Sequence, residues 1–84
     1  MAHNTDDPRD AGQREGRYAN YFQVGHNALE FVLDFGQYYR ENEEARFHTR
    51  IVTGPMSARA FLETLQESLG QYEETFGAIP KMEE

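Results

Sequence analysis

The chain has 84 residues, with 15 acidic side chains against 8 Lys and Arg, a net charge of −7 and no cysteine. A chain of this length forms one domain at most and buries only roughly two-thirds of its unfolded surface, so its core is marginal and self-association is the expected remedy. The missing cysteines exclude disulfides and thiolate chemistry and fit a cytoplasmic protein, the acidic excess argues against nucleic-acid partners, and no apolar run nears the ~20 residues of a membrane span.

Residues 1–17 carry Asp, Arg, Gly, Gln and Pro with no large apolar residue after Met1. Such a segment cannot offset its ordering entropy and reads as a disordered tail; it also lacks the apolar stretch of a secretory signal. A single β-β-β-α domain is expected over 18–79, and a flexible end over 80–84.

The first strand-like run is "NYFQVG" and the second "ALEFVLDFG". "GHNA" lies between them, so the hairpin turn is expected at His26 and Asn27. A polar connector, "YYRENEE", leads to the third run, "ARFHTRIVT". Three antiparallel strands in a meander follow from this order.

After Pro55 the period lengthens. Ala58, Phe61, Leu62, Leu65, Leu69, Tyr72 and Phe76 recur at steps of three and four, which predicts one long amphipathic helix. Pro55 suits the first helical position, and Gly54 before it is a weak cap. Gly77 is a stop signal able to take a positive φ, with Ile79 placed to fold back on the last turn. The expected fold is therefore α+β, a three-stranded antiparallel β-meander with one long C-terminal α-helix packed on one face.

Strand alternation assigns the faces. Leu29, Phe31, Leu33 and Phe35 form an apolar face beneath the helix, joined by Phe47, Thr49 and Ile51 from the third strand. Pairing Asp34 with Arg50 sets Val32 against Val52, Leu33 against Ile51 and Gly36 against His48, matching charge with charge and apolar with apolar. The first hairpin is expected to pair Val24 with Leu29 and Phe22 with Phe31. The outer face then holds Tyr21, Gln23, Glu30, Val32, Asp34, His48, Arg50 and Val52. An apolar centre inside a polar rim is the composition of an interaction surface, and these eight residues are the candidate face.

The chemistry of these residues supports no reaction. Glu30 and Asp34 stand roughly 13 Å apart along a strand, beyond the usual spacing of a carboxylate pair. His3, His26 and His48 are scattered, and a metal site at His48 with Glu30 or Asp34 lacks the three or four ligands such a site needs. The glycines form no phosphate-binding motif. No catalytic, cofactor-binding or metal residues are assigned, and the chain is not expected to be an enzyme.

Three strings, "YANYFQVGHNALEFVLDFGQ", "RIVTGP" and "ARAFLETLQESLGQYEETFGAI", carry a resemblance. The chain resembles a small bacterial and archaeal family, domain of unknown function 3467. The matching positions are Asn20, then Glu30, Phe31, Leu33, Asp34 and Phe35, then Arg50, Ile51 and Pro55. On the helix they are Ala58, Arg59, Phe61 or Leu62, and Leu65, and then Tyr72, Glu73, Phe76, Gly77 and Ile79. Gly54 departs from the family pattern, where a Ser often precedes the Pro. The resemblance implies a small soluble protein and brings no activity with it. The expected role is a non-enzymatic oligomerising interaction or adaptor protein, possible subunit of a larger complex, with itself as first partner. A small-ligand or metal-binding module, or a dimeric DNA-binding regulator, are the alternatives.

Overall fold

A computed structural model describes residues 14–82. Residues 1–13 of the expected tail and 83–84 of the expected loose end lie outside the described residues. Strand β1 is Tyr21–His26, β2 is Phe31–Tyr39, β3 is Glu44–Thr53, and helix α1 is Pro55–Phe76. The strands form one antiparallel sheet in the order β1-β2-β3, and with α1 this is the α+β meander that the alternation predicts. The chain divides into two compact units. One comprises the described part of Met1–Gln23 with Asp34–Arg50, and the other Val24–Leu33 with the described part of Ile51–Glu84.

In the second unit the β1–β2 turn differs from expectation. The Asn27 N–H donates to the Glu30 carbonyl at 3.0 Å. The Asn27 side-chain Oδ1 accepts the N–H groups of Leu29 and Glu30, each at 2.8 Å. Asn therefore closes a loop over Ala28 and Leu29 with its own side chain, the Asx-turn chemistry that makes Asn a turn residue. The turn thus lies two residues later than the expected His26–Asn27 loop. Leu29, expected on the apolar face, is a turn residue and 78 % exposed. His26 now meets Phe31, their rings stacked 5.3 Å apart.

Helix α1 runs for 22 residues between the signals that predict it. Gly54 caps it in an extended conformation with no side-chain bond, Pro55 opens it, and the Ala58 N–H reaches the Gly54 carbonyl at 2.9 Å. Gly77 ends it at φ 102°, and its N–H donates to the Glu73 carbonyl. Ile79 does return to the last turn, through its backbone N–H, which donates to Glu73 Oε2 at 3.0 Å.

Burial is where the molecule departs furthest from a closed domain. Among the described residues no apolar side chain is fully buried, and the helix contains no buried residue. The helix stripe expected to close a core leaves Phe61, Leu62, Leu65, Leu69, Tyr72 and Phe76 at 43–72 % exposure. Half-burial is all that Phe31, Leu33 and Phe35 reach.

Candidate interaction surface

The first unit gathers its aromatic and charged side chains around Gly36. The Asn20 N–H donates to the Gly36 carbonyl at 2.9 Å, and the Asn20 side chain accepts the Tyr38 N–H at 2.8 Å. One asparagine thus extends the β1–β2 pairing beyond β1 with both its backbone and its amide. Phe22 meets Phe35 edge to face at 5.8 Å. Phe22 was expected opposite Phe31, so its partner has moved four positions along β2. A shift by an even number keeps every side chain on its face, which is why the face assignments of β1 and β2 survive the misplaced turn.

Gly36 is the one buried residue among those described. A β-carbon there would fall against the carbonyl of Arg46 and within 2.8 Å of the Phe47 α-carbon. Without a side chain at the middle strand, the rings on either side close over it. Tyr21 of β1 and Phe47 of β3 lie 5.4 Å apart, and Tyr38 stacks on Tyr21 at 6.3 Å. Each of the three rings remains 40–45 % exposed. They form a continuous half-exposed aromatic platform with a glycine floor.

Arg50 and Asp34 lie along the same strands, as the register predicts. Arg50 donates from Nε to Asp34 Oδ1 at 2.8 Å and from a terminal nitrogen to Oδ2 at 2.9 Å. The two planar groups meet in a bidentate fork, the strongest geometry available to this pair. The Asp34 side chain is 13 % exposed and the Arg50 side chain 67 %, so the pair anchors the acid and leaves the guanidinium face open. The hydrogen bonds from Arg50 hold the Asp34 carboxyl below its ordinary value of 3.8, against an opposing push from desolvation, and the Arg50 charge adds to the effect. The same fork raises Arg50. A lowered carboxyl contributes stability above its unfolded pKa and loses it as pH falls through the folded value. Asp34→Asn is therefore expected to melt earlier than the wild type at neutral pH, with the gap closing as pH drops below the carboxylate range. Thermal melts of both proteins across that range check this, and a gap that stays constant would contradict it.

Not every member of the expected face gathers here. His48 was placed beside Tyr21 and Arg50, and Phe47 with Thr49 on the opposite side. The structure exchanges them. Phe47 lies on Tyr21, whereas His48 and Thr49 line a shallow hollow with Phe35, Ala19, Arg17 and Glu15. His48 Nδ1 is 2.7 Å from Thr49 Oγ1, so two consecutive side chains share one side. Simple alternation does not place two neighbours so, and the in-and-out order of β3 is therefore broken at His48 and Thr49. His48 Nε2 is 3.0 Å from the Tyr18 carbonyl, which can only accept, so Nε2 donates. Both ring nitrogens of His48 are thus engaged within the first unit. Among the described residues no group of three His, Asp or Glu side chains is placed to hold a metal ion.

In the second unit, Glu30 precedes β2 and serves the Asn27 turn through its backbone. Val32 is half-buried and Val52 exposed. Tyr38 and Phe47, which the expected face omits, belong to the platform. Extending the β2 alternation two positions past Gly36 locates Tyr38; Phe47 is located only by its ring contact with Tyr21.

The family model described as "Protein of unknown function (DUF3467)" matches residues 5–81. The chain belongs to this family. No curated protein and no solved structure matches it. Two residues of the second strand that carry the resemblance have structural reasons here: Phe35 meets Phe22, and Asp34 holds Arg50. No helix among the described residues is long and apolar enough to cross a membrane.

Proposed function

We propose that this chain is a non-enzymatic, self-associating interaction protein of the cytoplasm, a small subunit whose apolar surfaces are completed by protein partners, a second copy first among them. The observation that carries this reading is the absence of any fully buried apolar side chain among the described residues, beside a half-exposed aromatic platform and an exposed helix stripe. Folding free energy comes mainly from apolar burial, and a chain that buries so little alone gains the remainder at an interface. The platform supports the same role, since half-exposed Tyr and Phe beside a forked Arg is the composition of interface centres. Nucleic acid is disfavoured as a partner by the net charge of −7.

Binding to the folded state alone raises stability by mass action. The melting temperature is therefore expected to rise by several degrees for each hundredfold increase in protein concentration. Melts from about 1 to 100 μM, the range in which such association is read, test the proposal. A melting temperature that does not move, together with a monomeric mass, would overturn it.

A further inference from the structure

The helix stripe has a finer period than amphipathicity requires. Ala58, Leu62, Leu65, Leu69, Tyr72 and Phe76 are separated by steps of 4, 3, 4, 3 and 4, an unbroken heptad seam over the length of α1. All of these except Ala58 are exposed, and Ala58 is half-buried. Taking about 200 Å² for a fully exposed large side chain, the exposed stripe with Phe61 presents about 600 Å² per chain. Two such stripes laid together remove about 1,200 Å² from water, the lower bound of a specific interface.

The residues also choose an occupant and a direction. Laid parallel, two copies would set Ala58 against Ala58 and Phe76 against Phe76, with a void at one end and crowding at the other. Laid antiparallel, Ala58 faces Phe76 and Leu62 faces Tyr72, so smaller meets larger toward both ends, while Leu65 faces Leu69 at the centre. The flank gives the same answer. Arg59 is the one basic residue of a helix that carries Glu63, Glu67, Glu73 and Glu74. No ion pair or hydrogen bond engages it among the described residues. Beside the seam run Arg59, Gln66 and Glu73, seven positions apart. An antiparallel partner brings its Glu73 to Arg59 and its Arg59 to Glu73, with Gln66 meeting Gln66 between them. A parallel partner sets Arg59 beside Gly54 and leaves it uncompensated. Opposed macrodipoles further favour the antiparallel pair.

We propose that two copies of this chain join through α1 as an antiparallel helix pair, with the heptad residues as the seam and reciprocal Arg59–Glu73 contacts fixing its direction. The inference rests on the self-association proposed above and specifies the surface that performs it.

Charge reversal tests it in the full-length protein. Arg59→Glu alone sets like charges at both flank sites of an antiparallel pair and is expected to weaken self-association roughly 5- to 10-fold at low salt, two exposed contacts being reversed. Glu73→Arg does the same, with additional loss of the Ile79 N–H contact. Mixed together, the two variants restore opposite charges at both sites, so mixed dimers are expected to exceed the statistical half. Circular dichroism of each variant confirms that the helix is retained. A wild-type dimer with no charge effect and no excess of mixed dimers would overturn the helix pairing while leaving self-association intact. A wild-type monomer would overturn both, and a monomer whose seam binds a helix of another protein would overturn the second copy as occupant.

Discussion

Replacing Gly36 by alanine is expected to lower the melting temperature by roughly 10–20 °C, corresponding to about 2–3 kcal/mol in a domain of this size. An alanine normally gains several tenths of a kcal/mol over glycine by restricting the unfolded chain. Here that gain is outweighed, because the added carbon falls on the Arg46 carbonyl and the Phe47 α-carbon, which are backbone and cannot rotate away. To make room, β3 must leave β2, and Tyr21 then loses its contact with Phe47. Gly25 supplies the control. It lies in β1 with no atom within 4 Å of a built β-carbon, so Gly25→Ala is expected to change stability by no more than about 0.5 kcal/mol. Melts at one matched protein concentration compare them, and equal stability of the two variants would contradict the glycine floor.

Leu65→Asp is expected to weaken self-association by at least about 100-fold. In the antiparallel pair Leu65 sits next to the two-fold axis and meets Leu69 of the second copy, a layer that occurs twice per dimer. Truncating a buried leucine costs about 2–5 kcal/mol, and each 1.4 kcal/mol is tenfold in affinity. Within a single chain the same leucine is 44 % exposed, so the variant also loses part of its own burial, and circular dichroism showing the helix retained separates loss of the interface from loss of the fold. Glu67, on the opposite side of α1, is the matched position, and Glu67→Gln is expected to associate like the wild type.

Much of this was legible in the residues, and the failures share one cause. Pro55 and Gly77 bound the helix because each acts through its own backbone, with no help from distant residues. The Asp34–Arg50 fork followed from alternation plus opposite charge. The turn lies two residues beyond its expected place because Asn27 acts through its side chain, which accepts the N–H groups of Leu29 and Glu30 and so closes the loop after it rather than within it. Phe47 and His48 exchange sides because alternation holds only along a regular ladder, and the break in it at His48 and Thr49 has no marker of its own in the residues. Gly36, which has no side chain to alternate, was the available hint. The helix stripe was read as the lid of a core because its period says only that something apolar covers it. The finer heptad spacing, together with the exposure of those side chains, points to a second helix.

Sedimentation equilibrium of the wild type beside Leu65→Asp tests the central claim most directly. At micromolar concentration the wild type is expected at twice the chain mass of 9.7 kDa, and Leu65→Asp at the mass of one chain with its helix content retained. Equal masses for the two proteins, whether one chain or two, would contradict the account.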